Sequence, residues 1–173
     1  MQQGPSETPL WILTRDLGAR MLQLAGRCQS LQEGQCICNQ ALQSGAVWAK
    51  AEAMFRAQGW NGEALPQAPL QVDIPSPQAG WVQDLDAEKI GRLVLLLGGG
   101  RRQVEDQIDH AVGLSRLCQV AEPLETGQTL ATLHLRREDQ RSEATALLLD
   151  AIHIGEQAPD PSTLIYETRG IET

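Results

Sequence analysis

Two arginines follow directly on three glycines at Gly98-Gly99-Gly100-Arg101-Arg102, the densest chemical signal in the sequence. Glycine backbone N–H groups and guanidinium forks both suit phosphate oxygens, so this run could hold an anion. Its surroundings favour another use. The glycines come after the apolar run Leu93-Val94-Leu95-Leu96-Leu97. If that run is a helix, they lie at the negative end of its dipole, the wrong end for direct anion capture. The Lys-Ser/Thr pair of a P-loop is missing as well. A glycine C-cap whose arginines pair with Glu105, Asp106 or Asp109, or a loop that closes over a site, fits better than direct phosphate ligation.

The remaining reactive residue types are scattered. Glu105, Asp106 and Asp109 make an acidic segment without a partner motif, which reads as a solvated loop. His110, His134 and His153 lack triad or HExxH spacing, and His134 is expected to be a hydrogen-bonded structural histidine in a strand. Cys28, Cys36, Cys38 and Cys118 contain one Cys-x-Cys pair and no second motif at zinc-site spacing. Free cysteines in an intracellular protein are therefore expected, with cytoplasm as the default compartment. No catalytic residue and no metal ligand follows from these positions.

The elements that must position the glycine-arginine run are readable around it. Asp86, with Glu88 two residues later, looks like an N-cap with a carboxylate in the first turn, and Gly98 supplies the matching stop. Ala87–Leu97 is thus read as a buried helix; a buried strand is the competing reading of so continuous an apolar run. Rigid support, glycine stop and charged segment form the layout of a loop held out from a scaffold.

Upstream, Met1–Pro9 is polar and expected to be poorly ordered. Leu10, Leu13, Leu17, Met21 and Leu24 form a helical stripe ending at Gly26. Ser30 and Glu33 are spaced as a capping box opening a second helix through about Gln43. Val47, Ala51, Met54 and Phe55 mark a third, stopped by Gly59. Trp48, Phe55 and Trp60 are expected to be packing residues. These three helices read as a piece of something larger, their apolar faces lacking any strand to cover them. Residues 61–79 are proline-rich and mark a boundary, with one short edge strand near Leu70–Ile74.

Downstream, Gly80–Leu85 reads as a strand and Gly113–Ala121 as strand-like. Glu122–Gly127 reads as a turn and Thr129–Leu135 as an alternating strand. Glu138–Gly155 is expected to be one amphipathic helix, and Thr163–Thr168 a last strand. The order β–α–loop–β–β–α–β implies an α+β domain with a mixed or antiparallel sheet. The chain has 173 residues, 42% of them hydrophobic, and a net charge of -8 from 22 acidic and 14 basic residues. That balance argues against a nucleic-acid binder, and no apolar run is long enough for a membrane span.

Several short motifs recur in a familiar order: Gly80-Trp81-Val82, Asp84-Leu85-Asp86, Ile90-Gly91, Leu97 to Arg102, Ile108-Asp109, Val112-Gly113, and Gly127-Gln128-Thr129-Leu130-Ala131 with His134. Together they resemble the C-terminal domain of the thymidine/pyrimidine nucleoside phosphorylases. Leu13–Gly26, Ala41–Ala46 and Ala57-Gln58-Gly59 resemble the helices preceding it. The resemblance implies a helical fragment of the large α/β domain over 1–60, a linker over 61–79, and over 80–173 an α/β-hammerhead with a barrel-sandwich element. It implies phosphorolysis of pyrimidine nucleosides, with inorganic phosphate as co-substrate, no further cofactor, and a homodimer in full-length members. The phosphate-site Lys-x-Ser and the base-binding residues of that family are not found in this sequence, so the chain alone is expected to be inactive. What carries over is a substrate-closing loop made of Gly98, Gly99, Gly100, Arg101, Arg102, Asp109 and Gly113. Glu122-Pro123-Leu124 departs from the family's usual Gly-Asp before the glycine turn, which bears on the local strand-turn geometry.

Overall fold

The computed structural model describes residues 8–160 and Ile165. The described residues fall into two compact units, one ending at Glu63 and the other beginning at Ala64. The strand expected over Thr163–Thr168 lies outside the described residues, Ile165 aside.

The first unit holds three helices, α1 (Pro9–Leu24), α2 (Leu31–Gln43) and α3 (Ala46–Ala57). Pro9, expected in a loose terminus, is instead the first residue of α1, where its missing N–H costs nothing, and Thr8 caps it by accepting from the Trp11 N–H. Ser30 caps α2 by accepting from Glu33 N–H, and the Glu33 carboxylate accepts from the Gln29 N–H at 2.8 Å. Helices α1 and α2 approach closely at Ala19 and Gly34, where a Cβ on Gly34 would come within 2.9 Å of the Ala19 methyl. Much of the apolar surface of these helices is exposed among the described residues. Leu10, Met21 and Leu24 are each more than 70% exposed, and α3 has no buried residue. Phe55 and Trp60 pack edge to face, with Arg56 over the indole. Trp48 does not fulfil the packing role expected of it: it is 65% exposed.

The second unit packs two three-stranded antiparallel sheets with helices α4 (Ala87–Leu97) and α5 (Arg141–Ala151). One sheet has the order β1 (Leu70–Pro75), β5 (Thr129–Leu135), β3 (Gly113–Ser115); the other has β4 (Pro123–Leu124), β2 (Gly80–Leu85), β6 (Ile152–Gly155). Leu133 lies opposite Val72 on one side and Leu114 on the other, so Ala131, Leu133 and Leu135 build the core face, and Leu130, beside the register shift between Ile74 and Pro75, is fully buried as well. Leu93 and Leu97 of α4 and Leu148 of α5 join Leu130, Leu133 and Leu135 in one apolar cluster. A salt bridge from Lys89 to Asp150, at 2.8 Å, ties the start of α4 to the end of α5.

Three expectations are corrected here. The expected helix over Glu138–Gly155 is a 3-10 turn (Glu138–Gln140) and α5, and its last four residues form β6. Ile152 and Ile154 are β-branched, and β6 pairs with β2, satisfying backbone groups that an edge would leave open. The strand-like stretch after Gly113 stops at Ser115, because Arg116 and Ala121 both take left-handed backbone angles, φ 52 and 68. The turn over Glu122–Gly127 contains a short strand, β4, paired with Gly80 and Trp81.

Candidate functional site

The glycine-arginine run leaves a helix, as its caps require, and the competing strand reading falls. The Asp86 carboxylate accepts from the Lys89 N–H at 3.0 Å, starting α4. Gly98, at φ 96, ends it, and the N–H groups of Gly98 and Gly99 return to Leu95 O and Val94 O. The three glycines have different reasons to be glycine. A Cβ on Gly98 would meet no atom within 4 Å, so its backbone angle alone selects the residue. Gly99 and Gly100 lie against the side chains of α4. A Cβ there would come within 2.8 Å of Val94 Cγ1 and 2.6 Å of Leu95 Cδ2.

Beyond the glycines the chain makes a closed excursion. The Asp109 N–H donates to Gly98 O at 2.9 Å, bringing the end of the loop back to its start. The Asp109 carboxylate accepts two hydrogen bonds from Arg136, at 2.5 and 3.0 Å, and a third from the Ala111 N–H. Arg136 first, then the Ala111 amide, hold the Asp109 carboxyl well below its usual range, at about 2. At the tip, Asp106 accepts from the N–H groups of Gln103 and Arg102, which lower its pKa.

Neither arginine makes the hydrogen-bonded pair expected of it, although the charge of Arg102 helps to lower the Asp106 carboxyl. Asp109 is taken by Arg136, which directly follows β5, and Asp106 by backbone amides. Among the described residues neither Arg101 nor Arg102 donates a hydrogen bond to any carboxylate, and both are exposed, as is Val104 at 83%. The loop is therefore pinned at its base by Asp109 and shaped at its tip by Asp106, whose carboxyl the nearby Arg102 charge also helps to lower, and it presents both guanidinium groups to solvent without a hydrogen-bonded carboxylate among the described residues. Gly113, the last residue of the expected loop, opens β3 at φ 143. Arg136 escaped the sequence reading because it lies 27 residues from Asp109; only the order of the strands puts the two together.

The scattered residues resolve as follows. His134 lies in β5 and pairs with Ser115 Oγ at 2.7 Å. All four cysteines are free, and burial pushes the Cys118 thiol up to about 11. Among the described residues no group of three or more His, Cys, Asp or Glu could hold a metal ion, and no helix is long and apolar enough to cross a membrane.

Residues 81–155 match the family described as Pyrimidine nucleoside phosphorylase C-terminal domain. A pyrimidine-nucleoside phosphorylase of Bacillus subtilis (strain 168) is 34% identical over 174 residues, covering 95% of this chain and 40% of the relative. One from Staphylococcus aureus (strain USA300) is 32% identical over 171 residues, covering 95% and 39%. The chain thus spans about 40% of the length of the curated relatives it matches.

Proposed function

We propose that this chain, whose residues 81–155 match the pyrimidine nucleoside phosphorylase C-terminal domain family, supplies the scaffold and closing loop of a pyrimidine nucleoside phosphorylase. The parent reaction is transfer of a pentosyl group from a pyrimidine nucleoside to inorganic phosphate. On this reading residues 1–60 are a helical fragment of the large domain, 61–79 a linker, and 80–173 an α/β-hammerhead with a barrel-sandwich element. The observation that carries the loop assignment is the pinned excursion itself: Arg101 and Arg102 extend from a base fixed by Asp109 and donate to no carboxylate among the described residues. Folded over a bound nucleoside and phosphate, such a loop excludes water and neutralises oxyanion charge. The reacting groups belong to the part of the parent that this chain does not span, and the loop works by closing.

The test is a chimera in which this chain replaces the matched 40% of the Bacillus subtilis relative. The chimera is expected to release base from uridine or thymidine with phosphate, and the chain alone to release none. Replacing both Arg101 and Arg102 by Ala should lower kcat/KM for phosphate about tenfold or more while leaving the melt unchanged. Unaltered kinetics in that variant would sink the closing-loop assignment.

A second reading, a truncated product acting as a structural or interaction domain, is favoured by the exposed apolar residues of α1 and α3. Release of base by the purified chain would exclude it.

A further inference from the structure

The face of the β1–β5–β3 sheet turned away from the core carries a polar row drawn from all three strands. Strand pairing sets Gln71 opposite His134, and Asp73 opposite Thr132, with Ser115 on the other side of Thr132. Thr132, 95% buried, is the centre of a fixed network. Its hydroxyl donates to Asp73 Oδ1 at 2.7 Å and accepts from Arg116 Nε at 3.0 Å, and Arg116 Nη2 donates to the same Asp73 oxygen at 2.6 Å. Arg116 holds this position from a left-handed backbone, φ 52, a conformation disfavoured for a residue with a Cβ and concentrated at functional positions.

The network leaves several polar ends open. Among the described residues, Asp73 Oδ2, Arg116 Nη1, His134 Nδ1 and the Gln71 carboxamide have no hydrogen-bond partner. They face two adjoining concavities that share Gln71, one of about 560 Å³ over Asp73, Ser115 and Arg116, and one of about 390 Å³ over Gly113 beside His134. Those volumes fall in the range of small-molecule sites, roughly 300–1,000 Å³. A Cβ on Gly113 would meet nothing within 4 Å, so the space beside His134 is empty for want of a side chain.

We infer that this face is a binding site for a neutral polyhydroxylated ligand of the sugar class. The charge decides the ligand. Thr132 and Arg116 hold Asp73 below the ordinary carboxylate range, so the site carries one positive and one negative group side by side. An anion would gain Arg116 and meet Asp73, a cation would do the reverse, and an apolar ligand would strand every open polar end. Each hydroxyl of a polyol both donates and accepts, so such a ligand satisfies groups of both kinds together. With no aromatic platform on the face among the described residues, the binding is weak and depends on the prearranged pair. The inference goes beyond the proposed closing loop and draws on neither of its arginines.

The test is a titration of the ¹⁵N-labelled full chain with D-ribose, and separately with inorganic phosphate at constant ionic strength, followed by two-dimensional NMR. Saturable ribose shifts are expected at the amides of Asp73, Ser115, Arg116 and Thr132. Arg116→Gln and Asp73→Asn should each weaken binding about tenfold or more. The variant with Arg101→Gln and Arg102→Gln should bind ribose as the parent chain does; if it alone lost binding, the loop and not the sheet would be the site. Shifts linear in ribose, saturation by phosphate only, or unchanged ribose binding in Asp73→Asn would each overturn the proposal. Should Arg116→Gln fail to fold, the isosteric Asp73→Asn decides alone.

Discussion

Gly98 and Gly99 are adjacent in sequence, yet the structure predicts that alanine at each would destabilise the second unit for a different reason. At Gly98 a Cβ has open space around it, and the penalty comes from holding φ at 96. It should amount to about 1 kcal/mol, and Gly98→Asn should lose less than Gly98→Ala because Asn tolerates left-handed angles. Gly99 has no such angle, but its Cβ would stand 2.8 Å from Val94 Cγ1 and 3.3 Å from Val94 O. Relief requires Val94 to move, and overpacking of this kind costs about 1–3 kcal/mol. Shortening Val94 removes the collision, so Val94→Ala should rescue part of the loss in Gly99→Ala and none of that in Gly98→Ala. Hydrogen exchange at the Leu97 and Leu133 amides reads the opening free energy of this unit directly. The double-mutant cycle should give a coupling of about 0.5 kcal/mol or more for Val94 with Gly99 and none with Gly98. Equal losses in Gly98→Ala and Gly98→Asn, or no rescue by Val94→Ala, would refute the assignment of backbone angle to one glycine and contact to the other.

The Asp109 carboxyl should titrate near pH 2 by carboxylate NMR, and Arg136→Gln should move it up toward the ordinary value of about 3.9. Because the folded pKa is depressed, the stability it contributes is complete above about pH 4 and disappears as the pH falls through about 2; an unmoved titration in the variant would exclude Arg136 as the cause. Leu133→Ala, at a side chain with 0% exposure between two strands, should cost about 2–5 kcal/mol in urea unfolding of the second unit, and a loss below about 1 kcal/mol would mean that the core collapses around it. Amides before Glu63 should exchange faster than those of the sheets, given the exposed apolar residues of α1 and α3; equal protection would show that those helices have acquired a cover in solution.

What the sequence determined by itself is what depends on neighbours within a few residues. The limits of α4 follow from Asp86 and Gly98, since an N-cap and a left-handed stop act within one turn. The start of α2 follows from Ser30 in the same way. The alternation in Thr129–Leu135 separated the core-facing Leu133 and Leu135 from Thr132 and His134, because the pleat repeats every two residues whatever the strand pairs with; it missed Leu130, set with Thr132 by the alternation but fully buried beside the register shift at Ile74 and Pro75. The tertiary structure decided whatever depends on which strands meet. Ile152–Gly155 follows a helix directly and carries a short apolar run that fits either state; pairing with β2 makes it a strand. Asp109 could have paired with Arg101 or Arg102 on local grounds, and the strand order gives it Arg136 instead. Asp73, Arg116 and Thr132 are separated by 16 to 59 residues and come together only because β1, β5 and β3 are neighbours. Local rules fix where the chain turns and stops, whereas the partner of a charged side chain is set by distance in space, to which spacing along the chain is blind.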